Sequence, residues 1–145
     1  MNKITLWAML LILFPNMVRG ESDFEELIII ANSVPQQTMS LQSAKDLFLG
    51  KRTLWPNGNA VIIVIPGRKY PFSEAVARSI YNTSPNGMQK FWLALVFQGR
   101  VKPPILLKSA KAIVEFVAEH EGAIGVVPAN SENIPSELIL RIQKK

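Results

Sequence analysis

Apolar residues in this chain gather into short unbroken runs, separated by longer stretches in which apolar positions recur with helical spacing. Short runs rich in β-branched residues are typical of strands buried on both faces of a sheet. We expect five such strands, over residues 27–31, 60–65, 105–107, 123–127 and 138–142.

The stretches between the runs predict amphipathic helices, because their apolar residues lie three and four positions apart. Ser40, Ser84 and Ser109 each stand where such a helix begins, as N-capping serines do. Strands that alternate with helices predict an α/β fold, with a mainly parallel sheet of about five strands and helices on both faces. The side chains expected in the core are Ile29, Leu47, Phe48, Ile63, Val76, Phe91, Trp92, Val114 and Ile124.

The first twenty residues have the pattern of a secretory signal peptide. Lys3 gives a positive start, residues 4–14 are almost wholly apolar, and small or tolerated residues precede Glu21. The apolar run is shorter than the roughly 20 residues of a membrane-spanning helix. We therefore predict a signal peptide over 1–20 and one mature domain over 21–145, periplasmic or secreted, with no stable membrane span after cleavage. An uncleaved membrane anchor is the alternative.

Composition supports a folded domain and removes several kinds of chemistry. Apolar residues make up 48% of the chain, which is enough for a core and argues against disorder. The absence of cysteine excludes disulfides, thiol catalysis and zinc–thiolate sites. The formal charge of +5 falls to +3 when Lys3 and Arg19 leave with the signal segment. The remaining basic residues are scattered, so we expect no nucleic-acid partner and only a weak preference for anions.

Catalytic motifs are not found in the sequence. There is no Gly-x-Ser-x-Gly elbow and no glycine-rich phosphate loop of the nucleotide-binding kind. The single histidine, His120, lies between Glu119 and Glu121 at a predicted helix end, where a solvated terminus is the simplest interpretation. We expect a protein that is not an enzyme and has no metal and no cofactor.

Two passages carry a family resemblance. Residues 40–58 contain a helix that ends in Phe-Leu-Gly-Lys, followed by a tryptophan and a Pro-Asn-Gly turn, and residues 122–127 read Gly-Ala-Ile-Gly-Val-Val. In this order and spacing, the region over 40–128 resembles the phosphate-binding subunits of ABC importers, which have the type 2 periplasmic binding protein fold. That family folds two lobes around its ligand, whereas this chain has the length of one. The resemblance therefore implies a single periplasmic-binding-protein-like lobe.

The resemblance also implies where an oxyanion would bind. In the family, an arginine and a Ser-Gly-Thr sequence follow the second strand, and hydroxyls, main-chain N–H groups and a helix N-terminus point at the anion. Arg68 and Ser73 occupy the matching positions here, but Glu74 and Ala75 replace the Gly-Thr pair. An acidic side chain beside the expected anion position weakens such a site.

Two more serines complete the predicted anion site at the carboxyl ends of the strands. Ser33 follows the first strand, and Ser109, next to Lys108, begins the helix after the third. We predict an exported, non-catalytic protein related to substrate-binding subunits, with weak or degenerate binding of phosphate or another small oxyanion. The alternative is a protein-interaction module that uses the cleft face of a single lobe to bind a partner protein.

Overall fold

The computed structural model describes residues 26–143 of the chain, so the predicted signal peptide and its cleavage site lie outside the described residues. Strands, α-helices and one 3-10 turn follow one another along this part of the chain. They are β1 Leu27–Ala31, β2 Thr38–Ser40, α1 Leu41–Phe48, β3 Ile62–Pro66, α2 Ser73–Tyr81, α3 Pro85–Phe97, β4 Ile105–Leu107, α4 Ala110–Glu119, β5 Ala123–Pro128, a 3-10 turn Ser136–Leu138 and β6 Arg141–Gln143. None of the helices in this part of the chain has the length and apolar character needed to cross a membrane.

The main sheet has the strand order β1-β5-β3-β4. β3 runs parallel to both β5 and β4, and β1 is antiparallel to β5. Two of the three pairings are thus parallel, which confirms the predicted α/β class with a mainly parallel sheet. The predicted strands at 27–31 and 105–107 have the bounds found in the structure, and those at 60–65 and 123–127 differ at their ends only.

The predicted fifth strand takes a different form. Residues 136–138 make the 3-10 turn after Pro135, and Ile139 contributes a single antiparallel bridge to Ile30 of β1. Leu138 and Leu140 are buried, so the apolar run still enters the core, although it does not form a strand of the main sheet. Regular pairing resumes only in β6, which lies parallel to the short strand β2 in a separate two-stranded sheet.

Helices cover both faces of the main sheet, as predicted. Val64 and Gly125 are register partners and therefore share a face. A Cβ atom at Gly125 would lie 2.8 Å from Ile113 and 3.1 Å from Val117 of α4, so the missing side chain lets this helix contact the sheet closely. Ile65, the next residue along β3, points to the opposite face, where it lines a pocket together with Met88 and Trp92 of α3.

Hydrogen bonds made by the side chains of Tyr81 and Trp92 join α1, α2 and α3. The indole N–H of Trp92 donates to the hydroxyl of Tyr81 (3.0 Å), and that hydroxyl donates to the main-chain carbonyl of Phe48 (2.8 Å). The rings of Tyr81, Phe91 and Trp92 also meet edge to face. The core expected from the sequence is buried in the structure except for Phe91, which is partly exposed at this cluster.

Candidate functional site

The loops after β3 and β4 lie at the same end of the sheet. Pro66 is the register partner of Leu107, and the main-chain N–H of Gly67 donates to the Leu107 carbonyl (2.9 Å). Because parallel strands end together, the residues that follow them, Arg68 and Lys108, are brought close to one opening. The anion site predicted from the sequence lies at this end of the sheet.

A groove of about 570 Å³ opens here between β4, α3 and the loop after β3, and we name it the β4 groove. Its volume falls in the range of about 300–1,000 Å³ that is typical of small-molecule pockets. The floor and sides are mainly apolar and include Ile65, Met88, Trp92, Leu93, Val96 and Leu106. Arg68, Lys69 and Lys108 are its charged lining residues, and no Asp or Glu occurs among the described residues that line it.

The arginine at this opening is held by a neutral partner. Arg68 is exposed, and its Nη1 donates to Oδ1 of Asn86 in the first turn of α3 (3.3 Å). None of the salt bridges formed within residues 26–143 involves Arg68, Lys69 or Lys108. Their positive charge is therefore not cancelled by a carboxylate of this part of the chain.

Ser73 forms hydrogen bonds that stabilise the loop between β3 and α2. It is 2% exposed, and its hydroxyl donates to the main-chain carbonyl of Arg68 (2.9 Å), while its N–H donates to the carbonyl of Tyr70 (2.9 Å). Ser73 does not line the β4 groove. Its hydrogen bonds therefore fix the loop over residues 68–73 and do not point into the groove.

Glu74, which we expected to weaken the site, forms a salt bridge instead. Its Oε1 accepts from Nη2 (2.6 Å) and Nε (3.1 Å) of Arg78, one turn further along α2. Both side chains are exposed, and neither lines the groove. The pairing reduces the repulsion that an isolated carboxylate would exert on an anion at Arg68.

Ser33 is not brought together with Arg68. Because β1 is antiparallel to β5, its last residue Ala31 pairs with Ile124, near the start of β5. Asn32 then exchanges main-chain hydrogen bonds with Gly122 and Ala123 at that same end. Ser33 therefore lies at the amino ends of β3 and β5, at the opposite edge of the sheet from Arg68.

Ser109 lies at the same end of the sheet as Lys108, but it serves α4. Its hydroxyl accepts from the main-chain N–H of Ala112 (3.0 Å), which is an N-cap. α4 packs on the face of the sheet away from α3, and Ser109 does not line the β4 groove. Of the four candidate residues, only Arg68 lines the groove.

The apolar lining was missed because Trp92 was expected in the core, with a partner-facing patch as the alternative, and no groove was expected beside α3. Trp92 is indeed only 5% exposed, but part of its surface forms a wall of the groove. The sequence does contain a signal: α3 is apolar at all seven positions over 91–97, too many for one buried face. Leu93 and Phe97, one turn apart on this helix, are 49% and 89% exposed.

His120 ends α4, as the sequence indicated, but it is partly buried and not a fully solvated terminus. Its ring stacks on Phe116 with centroids 3.8 Å apart, and Nδ1 lies 2.8 Å from the main-chain oxygen of Phe116. Within residues 26–143, no cluster of three or more His, Cys, Asp or Glu side chains could hold a metal ion.

Comparison with known proteins gives similarity to solved structures, whereas no family model and no curated protein matches the chain. One similar structure is an ABC-type phosphate transport receptor from Vibrio cholerae, at 15% identity and a TM-score of 0.49, covering 81% of this chain and 45% of that one. Another is a putative phosphate ABC transporter substrate-binding protein with bound phosphate from Clostridium perfringens, at 17% identity and a TM-score of 0.47, covering 81% and 44%. The chain thus spans less than half the length of either structure.

Proposed function

We propose that this chain is a non-catalytic binding protein that takes up an oxyanion weakly at the carboxyl ends of β3 and β4. The observation that carries the proposal is the charge of the β4 groove: Arg68, Lys69 and Lys108 line it, with no carboxylate among its described lining residues. A concave surface with one sign of charge raises the local concentration of the opposite ion. The resemblance of residues 40–58 and 122–127 to phosphate-binding subunits supports the same class of ligand.

Each cation has a distinct part in this proposal. The guanidinium of Arg68, oriented by Asn86, offers parallel N–H donors that match two oxygens of a phosphate. Lys69 and Lys108 add two further positive charges to the lining. Exposed charge pairs contribute only about 0–1 kcal/mol each. Three of them contribute at most about 3 kcal/mol together, so we expect inorganic phosphate to bind with a dissociation constant of several millimolar or more.

Titration of the full chain with inorganic phosphate, followed by NMR chemical shifts, tests this proposal. We expect millimolar affinity that falls as salt is added, and a two- to fivefold loss in Arg68→Ala, equal to about 0.5–1 kcal/mol. Arg100→Ala removes another exposed arginine outside the groove and should leave the affinity unchanged. Ser33→Ala and Ser109→Ala should also have no effect, because neither serine lines the groove.

The outcomes of this titration separate three cases. Micromolar binding by the unmodified chain would contradict a weak, open site. Binding that is unchanged in Arg68→Ala would remove Arg68 from the site. The absence of binding at tens of millimolar phosphate would overturn the oxyanion proposal.

A protein-interaction module is the second candidate function, and exposed apolar side chains favour it. Leu93 and Leu106 line the groove and are 49% and 56% exposed, and Phe97 continues the same side of α3. β4 is also an outer strand, with no further strand paired to it in the part of the chain described here. Open strand edges and contiguous apolar patches are typical of association surfaces. This candidate becomes the first choice if phosphate does not bind.

We also propose that the protein is exported, with residues 1–20 cleaved as a signal peptide. The sequence pattern before Glu21 supports this proposal. N-terminal sequencing of the protein recovered from outside the cytoplasm should give Glu21, or a residue next to it, as the first residue. Recovery of a chain that begins at Met1 in the membrane fraction would contradict export and favour the anchor.

A further inference from the structure

We propose that the ligand of the β4 groove is an anionic amphiphile: a small molecule with one oxyanion headgroup at the cationic end and an alkyl chain along the apolar floor. This inference rests on the proposed function and specifies its ligand class. It commits to a single dissolved molecule, because the groove is a concavity of about 570 Å³ and not a flat surface.

The floor of the groove does not suit an inorganic ion. Ile65 and Met88 are 1% and 3% exposed and have no hydrogen-bond donor in their side chains. The one polar atom of the Trp92 side chain, its indole nitrogen, already donates to Tyr81. A hydrated phosphate gains nothing from such a surface, whereas an alkyl chain removes both itself and the floor from water.

The positive charges lie at one end of the groove, and the apolar surface extends from there toward the other end. Lys108 follows the last residue of β4, whereas Pro103 and Pro104 precede the first, so the cationic and apolar ends lie at opposite ends of this strand. α3 has the same order of charged and apolar neighbours. It begins at Pro85, next to the Asn86 that accepts a hydrogen bond from Arg68, and its later residue Val96 also lines the groove. The helix rise from Pro85 to Val96 is about 16 Å, which leaves room for a headgroup and several methylenes.

Four probes separate the contribution of the headgroup from that of the alkyl chain: hexyl phosphate, ethyl phosphate, inorganic phosphate and hexanol. Each is titrated into the full-length protein below its critical micelle concentration. One buried methylene is worth about fourfold in affinity, the equivalent of ~0.8 kcal/mol. We expect hexyl phosphate to bind at least tenfold more tightly than ethyl phosphate, even with part of its chain exposed. Hexanol, which lacks the charge, should bind more weakly than hexyl phosphate.

Two matched pairs of leucine variants locate the alkyl chain. Leu106→Ala shortens a lining side chain that is 56% exposed, and Leu54→Ala shortens one that is 58% exposed and outside the groove. Leu93→Ala and Leu41→Ala form a second pair, at 49% and 50%. The groove variants should weaken hexyl phosphate about three- to fourfold and leave ethyl phosphate unchanged. The control variants should change neither, and circular dichroism shows which variants remain folded.

The outcomes distinguish this inference from the function on which it rests. Equal affinities for hexyl, ethyl and inorganic phosphate would overturn the amphiphile and leave the oxyanion function standing. Hexanol binding as tightly as hexyl phosphate would overturn both the headgroup assignment and the oxyanion function. Hexyl phosphate binding that is unaffected by both groove variants would place the alkyl chain elsewhere. Binding to anionic lipid vesicles without binding of hexyl phosphate would favour a membrane surface and overturn the inference.

Discussion

Replacement of Gly122 by alanine is expected to lower the free energy of unfolding by about 2–5 kcal/mol. Gly122 has φ +79°, a left-handed conformation that costs other residues about 1–2 kcal/mol. A Cβ atom there would also lie 2.5 Å from the main-chain oxygen of Ala60, closer than real Cβ contacts come. Overpacking of this kind costs about 1–3 kcal/mol more. Denaturant unfolding of the variant and the unmodified chain measures the difference.

Two other glycines supply the control for this experiment. Gly58 and Gly99 have φ +86° and +66°, but a Cβ atom at either position would meet nothing within 4 Å. Gly58→Ala and Gly99→Ala should therefore show only the backbone cost of about 1–2 kcal/mol. If Gly122→Ala were no more destabilising than these two variants, the contact with Ala60 would not constrain the fold.

Gly122 matters because several segments meet at its peptide groups. Its N–H donates to the Asn32 carbonyl (2.9 Å), and its carbonyl accepts from the indole N–H of Trp55 (2.9 Å) and the N–H of Ile62 (3.1 Å). These bonds join the end of β1 to the starts of β3 and β5. A shift of the backbone to relieve the clash with Ala60 would disturb them together.

The Gly-Ala-Ile-Gly motif, which contributed to the family resemblance, has a packing explanation in this chain. Gly122 provides a positive φ beside Ala60, and Gly125 lets α4 contact β5. Both roles concern the fold and not a ligand. Packing therefore explains both glycines of the motif, and neither of them lines the β4 groove.

Strand positions and the parallel direction of β3, β4 and β5 could be predicted from the sequence, but the direction of β1 could not. β1, β3, β4 and β5 are marked by apolar runs and proline or polar stops, and Ser40, Ser84 and Ser109 cap the helices as expected. A buried apolar run has the same pattern whichever way it points. The antiparallel direction of β1 was therefore not visible, and this direction carries Ser33 to the far end of the sheet.

The candidate site was predictable to the extent that it depends on parallel strands. β3 and β4 end together, so Arg68 and Lys108 come to one opening as expected. The hydrogen bond from the Ser73 hydroxyl to the carbonyl of Arg68 depends on the conformation of the loop between them. No sequence pattern specifies that conformation. The groove itself arises from how α3 packs beside β4, and only the excess of apolar residues in α3 indicated an exposed apolar side.

Replacement of Tyr81 by phenylalanine is expected to cost about 1–3 kcal/mol of stability near neutral pH. The hydroxyl donates to the Phe48 carbonyl and accepts from the Trp92 indole, so its removal leaves two polar groups in the core without that partner. The effect should be larger than that of Tyr70→Phe, the matching change at the only other tyrosine in the chain. Equal losses for the two variants, measured by denaturant unfolding, would show that the link between α1, α2 and α3 contributes little.

The same pair of variants predicts a difference at alkaline pH. Burial raises the pKa of Tyr81 above its ordinary value of 10.0, and the hydrogen bond from Trp92 offsets only part of that shift. The unfolded chain therefore loses this proton near pH 10 while the folded chain keeps it. Above pH 10, unfolding releases a proton, and stability falls by up to about 1.4 kcal/mol per pH unit until the folded pKa is reached. Tyr81→Phe should lack this part of the decline, whereas Tyr70→Phe should retain it. Unfolding free energies measured from pH 8 to 11 test the assignment, and parallel declines in the unmodified chain and Tyr81→Phe would contradict it.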